Sequence, residues 1–121
     1  MSYLRRPLIR HVAGALLALM LAPGVLAQTG RTVEVRASEF AFEPNQLRVE
    51  QDETITLKLV NAGSLSHNIH LAGADIRTET IQGGGSDTIT FTAGTDGIVS
   101  FFCNVPGHKQ AGMEGEIVIE R

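Results

Sequence analysis

Three features of the sequence predict an all-β domain, a Greek-key sandwich or barrel of seven to eight strands. Apolar and polar residues alternate over short stretches, residues that favour turns separate these stretches, and no stretch has the period of an amphipathic helix. Seven or eight short strands within about one hundred residues are typical of two sheets packed face to face.

The predicted strands are short runs that alternate in polarity or are rich in β-branched and aromatic residues. In chain order they are TVEVRA from Thr32, QLRVE from Gln46, TITLKLVNAG from Thr54, SHNIHL from Ser66, TETI from Thr78, DTITFTA from Asp87, GIVSFFC from Gly97 and GEIVIE from Gly115. The alternation is clearest in the third run, where Ile55, Leu57 and Leu59 share one face. Between the runs stand turn signals such as NAGS, AGAD and VPGH. The segment QGGGSD lacks the lysine and the following helix of a phosphate-binding loop, so we interpret it as a hairpin connection.

The first 27 residues are predicted to be a signal peptide. Arg5, Arg6 and Arg10 precede an uncharged run over residues 12–27, which is shorter than the roughly 18 residues expected of a membrane span. Cleavage after Ala27 would leave residues 28–121 as one domain without a stable membrane span; an uncleaved anchor is the alternative. The segment RRPLIR resembles a twin-arginine signal, so export by either the general or the twin-arginine route to the periplasm, or to another extracytoplasmic location, is expected.

The predicted mature domain is acidic. It holds all 13 acidic residues but only seven of the 10 basic ones, which gives a formal charge of −6. This balance argues against a nucleic acid partner and favours a cationic protein partner. A domain of this size has a single core, and we expect a monomer.

Scarce coordinating side chains are concentrated in two stretches, SHNIH and FFCNVPGHKQAGM. Cys103 is the one cysteine of the sequence, and His108 and Met113 follow it at the spacing C-x4-H-x4-M. A lone cysteine in an exported protein cannot form an internal disulfide. If it binds no metal, we expect it to be a small buried apolar residue of the core. A strand ending at Cys103 and a loop closed before the last strand would bring three side chains to one point, with a further ligand supplied by SHNIH.

The residue types predict the metal. A thiolate, imidazoles and a thioether are poor ligands for calcium or magnesium, and the thioether makes structural zinc a weaker choice than copper. Two histidines and a cysteine with a weak axial methionine form a blue copper electron-transfer site.

The segments FFCNVPGHKQAGMEGEIVIE and NAGSLSHNIH resemble the copper-binding signature of the cupredoxins, the family of plastocyanin, azurin, amicyanin and auracyanin. The ligand loop is most similar to that of auracyanin-like members. The resemblance covers essentially all of residues 28–121 and implies one type I copper per chain, held by His67, Cys103, His108 and Met113. It also implies that Asn68 bonds across to the cysteine loop, with Asn104 on the receiving side.

His70 is a competing histidine in the same motif. If His67 faces the metal, strand alternation places Ile69 on the same side and Asn68 and His70 on the other, so we expect His70 to be solvated or hydrogen-bonded. The same alternation in VSFFC places Phe101 and Cys103 on one face. The phenylalanines are expected in the core or at its rim, with no electron-conducting role: Phe40, Phe42, Phe91, Phe101 and Phe102.

The function implied by the resemblance is electron transport between redox protein partners that dock on an apolar patch near His108. Sequence neighbours that would line the patch are Leu65, Val105, Pro106 and Ala111. The alternative is a periplasmic protein for copper storage or delivery, against which the single methionine of residues 28–121 argues. An enzyme is not expected, because multicopper enzymes need further domains and His-x-His pairs, whereas HNIH is His-x-x-His.

Overall fold

The computed structural model describes residues 14, 15, 18 and 30–121. Residues 30–121 form eight strands: β1 (Arg31–Ser38), β2 (Ala41–Glu43), β3 (Gln46–Glu50), β4 (Thr54–Asn61), β5 (His70–Leu71), β6 (Ser86–Thr92), β7 (Gly97–Phe102) and β8 (Glu114–Glu120). Within the described part of the chain, no helix is long and apolar enough to cross a membrane. The predicted signal peptide and its cleavage after Ala27 lie outside the described residues, apart from residues 14, 15 and 18, and remain predictions.

The strands form two four-stranded sheets, with the strand orders β2-β1-β4-β6 and β3-β8-β7-β5. Two pairs are parallel, β1 with β4 and β3 with β8, and the other pairs are antiparallel. The prediction of an all-β two-sheet architecture is confirmed. The parallel pairs join strands that are not consecutive in the chain, so they bring distant segments to the same end of the sandwich.

The core lies between the sheets and follows the period-two pattern of the strands. Ile55, Leu57 and Leu59 are fully buried on one face of β4, as predicted. From the opposite sheet, Phe101 and Ile117 are also fully buried. Burying a large apolar side chain stabilises a fold by about 1.5–3 kcal/mol, so this interface supplies a rigid base for the loops at its ends.

Two strand predictions need correction, and one strand was missed. The run SHNIHL forms a strand only at His70–Leu71, and TETI forms none. The amide of Ile69 donates its hydrogen bond to the hydroxyl of Thr78 at 3.0 Å and not to a backbone carbonyl. A side chain in that position interrupts the ladder. Strand β2 was not predicted; its three residues are too few to show a period.

The phenylalanines divide between the core and the surface. Phe42, Phe91 and Phe101 are buried, and Phe102 is half-buried on the opposite face from Phe101. Phe40 differs, since its side chain is 44% exposed and its φ of 62° is in the left-handed region. It lies in the hairpin turn between β1 and β2, at the same end of the sandwich as His108.

Candidate metal centre

Three of the side chains singled out in the sequence converge in the interior of the protein. Nδ1 of His67 is 3.2 Å from Nδ1 of His108, and Sγ of Cys103 is 3.5 Å from Nδ1 of His108 and 4.0 Å from Nδ1 of His67. All three residues are buried. The structure therefore brings together donors that are 36 and five residues apart in the chain.

These separations fit a single metal ion. Around a trigonal ion, bonds of about 2.0 Å to nitrogen and about 2.3 Å to sulfur place the donors roughly 3.5–3.7 Å apart. The observed distances of 3.2, 3.5 and 4.0 Å bracket those values. Two imidazole nitrogens and a thiol that face one another also satisfy each other poorly as hydrogen-bonding groups. The donor set of two nitrogens and one sulfur suits a borderline or soft transition metal.

Cys103 and His108 come from one loop, which follows β7 and is closed by its own backbone. His108 N donates to Val105 O at 3.0 Å, Met113 N donates to His108 O at 3.1 Å, and Cys103 N donates to Met113 O at 3.1 Å. Gly107 has a φ of 85° within this loop, a backbone conformation that residues with a Cβ rarely adopt. These short-range bonds fold the loop so that its first residue and its middle residue face each other.

Met113 ends the loop directly before β8. Its side chain is fully buried, and its backbone is hydrogen-bonded to both Cys103 and His108. The fourth sequence-predicted residue is therefore adjacent in the fold to two members of the cluster. Its role as an axial ligand remains a prediction.

His67 comes from a segment that other parts of the chain hold in place. Its amide donates to Ile81 O at 3.0 Å and its carbonyl accepts from Ile81 N at 2.9 Å. The turn that precedes it is organised by Asn61, which is fully buried. The Asn61 side chain donates to Leu65 O at 2.8 Å and to Ile81 O at 2.9 Å, and accepts from Gly63 N at 2.9 Å.

Asn68 joins the segments that carry His67 and Cys103, as the family resemblance implied. Its Oδ1 accepts a hydrogen bond of 2.7 Å from the backbone amide of Asn104, next to Cys103. Its Nδ2 donates to the hydroxyl of Thr80 at 3.2 Å. The side chain of Asn68 therefore fixes the separation between the residue after His67 and the residue after Cys103.

His70 lies outside the three-residue cluster. Its Nε2 is 3.2 Å from the carbonyl oxygen of Ala74, and its ring packs on Phe102 with a centroid separation of 5.1 Å. The amine of Lys109 covers the same Phe102 ring at 4.3 Å. Of the two histidines in SHNIH, only His67 is close to Cys103 and His108.

Glu39 is a residue near the centre that the sequence did not reveal. Its Oε1 accepts hydrogen bonds from Ser64 N at 2.7 Å and from Leu65 N at 2.9 Å, and it lies 3.6 Å from Nε2 of His67. It is 28 residues from His67 in the chain and belongs to no spacing pattern, so no signal in a single sequence marks it. The polar environment of the histidine thus includes a carboxylate.

Charge and burial set the protonation of these groups. Hydrogen bonds from the amides of Leu65 and Ser64 hold the pKa of Glu39 below its usual value of 4.5, so its carboxylate is ionised at neutral pH. Burial, followed by the nearby His108, lowers the pKa of His67 below its usual value of 6.5. A neutral imidazole carries a free lone pair and is the form that binds metals.

The cluster lies just below the surface at one end of the sandwich. His108 is 8% exposed, and the ring of Phe40 packs edge-on against it with a centroid separation of 5.3 Å. Leu65, which was predicted to line an apolar patch, is 45% exposed. Val105 is half-buried against the core. The half-exposed ring of Phe40 therefore places apolar surface beside His108, which is the member of the cluster nearest to solvent.

Curated relatives carry names that refer to copper. The chain is 23% identical over 146 residues to the copper-resistant cuproprotein CopI of Pseudomonas aeruginosa, covering 81% of this chain and 81% of that protein. It is 28% identical over 117 residues to the protein of the same name from Rubrivivax gelatinosus, covering 80% of this chain and 71% of that protein.

Solved structures and a family model agree on the fold. Auracyanin B matches with a TM-score of 0.71 and 24% identity over 75% of this chain and 89% of its own. Auracyanin A, described as a "blue" copper protein from the green thermophilic photosynthetic bacterium Chloroflexus aurantiacus, matches with a TM-score of 0.68 and 23% identity over 75% and 100% of the two chains. A model of the cupredoxin-like domain matches residues 11–119. The resemblance seen in the sequence is confirmed, and the chain belongs to the cupredoxin-like domain family.

Proposed function

We propose that the protein binds one copper ion at a type I site. His67, Cys103 and His108 would be the ligands in the plane, and Met113 would be the weak axial ligand. The observation that carries this proposal is the convergence of Nδ1, Sγ and Nδ1 within 4.0 Å of one another in a buried cluster. The names of the CopI relatives and of auracyanin A support copper as the metal.

The function that we infer for this site is the transport of single electrons. Bound copper would supply a one-electron couple between Cu(II) and Cu(I). The chain contributes rigidity, because the backbone of each predicted ligand is hydrogen-bonded to another backbone group. The cluster is also enclosed by the core. A site that changes little between two oxidation states has a small rearrangement to make during electron transfer. With its side chains already committed to one ion, the centre leaves no position for a substrate, so we propose a carrier and not an enzyme.

Electrons would enter and leave near His108. This side chain is 8% exposed and lies beside the exposed ring of Phe40. A redox partner that covers the Phe40 ring would come close to the metal without displacing any ligand. The formal charge of −6 over residues 28–121 favours a partner with a cationic surface, and we propose that the exported protein works as a monomer in the periplasm or another extracytoplasmic space.

A second candidate function is copper tolerance through binding, storage or delivery of the ion. The observation that favours it is the name of the two curated relatives, copper-resistant cuproprotein. The same buried donors would serve this function, but release of the ion would require an opening of the cluster. The two candidates therefore differ in whether the metal stays in place.

Addition of Cu(II) to the purified domain tests both candidates. For a carrier, we expect an intense blue absorption, a type I electron paramagnetic resonance spectrum and reversible one-electron reduction without loss of copper. For a delivery protein, we expect the reduced form to lose copper readily to an apo-acceptor such as a high-affinity chelator. A colourless complex with a spectrum typical of nitrogen and oxygen ligands would contradict the thiolate site.

A further inference from the structure

Glu39 and the loop before His67 are neighbours because of the parallel pairing of β1 and β4. The register of this pair ends at Ala37 opposite Asn61, and Ala62 N donates to Ala37 O at 2.8 Å. Chains that leave two parallel strands at the same level continue side by side. Glu39 and Gly63 each lie two residues beyond this last pair, which places the carboxylate against the turn that leads to His67.

The carboxylate of Glu39 has two kinds of contact there. It binds the amides of Ser64 and Leu65, and it faces Nε2 of His67 at 3.6 Å. The second contact is longer than a hydrogen bond, and it places the negative charge of the carboxylate beside one nitrogen of the imidazole. Within residues 30–121, no lysine or arginine pairs with this carboxylate, and Nε2 of His67 has no hydrogen-bond partner although it is fully buried.

The two nitrogens of His67 consequently face different surroundings. Nδ1 faces Cys103 and His108, whereas Nε2 faces the carboxylate on the far side of the ring. A negative charge beside Nε2 favours the tautomer that has its proton on Nε2 and its lone pair on Nδ1. Glu39 cannot be a ligand in this arrangement, because the imidazole of His67 stands between it and the other donors.

We propose that Glu39 is a positioning residue that selects the metal-binding tautomer of His67 and favours the oxidised ion at the centre. The part of this proposal that concerns the reduction potential of bound copper rests on the proposed function, whereas the part that concerns the tautomer of His67 does not. The carboxylate would act through the imidazole, in the manner of the carboxylates that orient histidine ligands in other metal sites. Its bonds to Ser64 and Leu65 hold it in place for that task.

Substitution of Gly63 is an independent way to move the carboxylate of Glu39. A Cβ at this position would overlap Oε1 of Glu39, so any larger residue must displace the carboxylate. The atom displaced is the end of a flexible side chain, so Glu39 can rotate away, and the amides of Ser64 and Leu65 would lose its oxygen. Gly63→Ala should move the charge away from His67 without removing it from the protein.

The experiment compares two variants with two matched controls. Glu39→Gln keeps an oxygen for the amides of Ser64 and Leu65 but removes the charge, and its control is Glu34→Gln, a similarly exposed glutamate on β1. Gly63→Ala displaces the charge, and its control is Gly94→Ala, where a Cβ has nothing within 4 Å and the backbone is not left-handed.

In the metal-free protein, nitrogen NMR of His67 at a fixed neutral pH reports which nitrogen is protonated. We expect the Nε2-bound proton signal of the unsubstituted protein to shift in Glu39→Gln and Gly63→Ala and to be unchanged in both controls. With Cu(II), we expect the affinity of these two variants to fall by about tenfold or more and their reduction potential to rise. A higher potential follows because removal of a negative charge disfavours Cu(II) more than Cu(I).

Unchanged His67 signals and unchanged Cu(II) affinity in both variants would overturn the proposal and leave Glu39 with the loop contacts alone. Failure of the proposed function looks different. If the unsubstituted protein takes up no Cu(II), or shows no reversible reduction, the electron-transfer proposal fails, whereas the His67 signal of the metal-free protein still decides whether Glu39 sets its tautomer.

Discussion

The two segments that supply the candidate centre are built in different ways. Residues 103–113 carry Cys103, His108 and Met113 on one loop, and the loop is closed by hydrogen bonds between its own backbone groups. The segment that carries His67 is fixed from outside, by the side chains of Asn61 and Glu39 and by the backbone of Ile81.

This difference has consequences for what each segment tolerates. A locally closed loop depends on its length and on residues with special backbone conformations, such as Gly107 at a φ of 85°. A segment fixed by distant polar side chains depends on each of those groups remaining paired, because an unpaired buried group is costly. Substitutions in the first segment should change the metal site itself, and substitutions around the second should also change stability.

The largest effect is expected from removal of the sulfur in the first segment. Cys103→Ser should abolish the intense blue absorption of the copper form, because the thiolate is the ligand that gives a type I site its colour. The domain should stay folded, since serine is close in size and its hydroxyl would face the nitrogens of His67 and His108. Optical spectroscopy with circular dichroism as a fold control tests this; a variant that keeps its blue colour would contradict the ligand assignment.

The next effect concerns the second segment. Asn61→Leu removes the partners of Gly63 N and Leu65 O and should lower the free energy of unfolding of the metal-free protein by about 3 kcal/mol. Denaturant unfolding measures the change. Asn104→Ala is the matched control, because its side chain is exposed and the bond to Asn68 comes from its backbone. Equal stability of the two variants would show that the turn before His67 does not depend on Asn61.

Met113 offers a finer test of the first segment. Met113→Leu should keep the blue colour and raise the reduction potential, because loss of the thioether destabilises Cu(II) more than Cu(I). Each tenfold loss in relative affinity for the oxidised ion corresponds to about 59 mV for a one-electron couple. The exchange conserves volume at a fully buried position, so little loss of stability is expected. Voltammetry decides the point, and a lower potential would count against an axial methionine.

The smallest effect lies outside both segments, at the surface pair of Arg31 and Glu53. Arg31 Nε is 2.6 Å from Glu53 Oε1, and this contact lowers the pKa of Glu53 below its usual value of 4.5. The contribution to stability is therefore present above pH 4.5 and is lost as the pH falls through the lower folded value.

Glu53→Gln tests that contribution. Its melting temperature should be slightly below that of the unsubstituted protein at pH 7, and the gap should close at acid pH. The same gap should be found in the Asn61→Leu background, because the two sites share no partners. A gap that widens on acidification would contradict the sign of the pKa shift.

Part of this structure was predictable because its information is local. Alternation in β4 predicts the burial of Ile55, Leu57 and Leu59, and the spacing from Cys103 to His108 predicts a loop with two donors. The irregular pairing near TETI was not predictable, because it depends on the Thr78 hydroxyl meeting the amide of Ile69. Such a contact appears only after both segments are placed.

The sequence by itself determined the class of fold, the family resemblance and the residue types that would meet a metal. Period-two patterns and ligand spacings involve residues that are close together in the chain, so they are visible in the sequence without the tertiary structure. Tertiary structure alone decided that Nδ1 of His67 faces Cys103 and His108 while Nε2 faces Glu39. The reason is the parallel register of β1 and β4, which joins residues far apart in the chain and which no local pattern encodes.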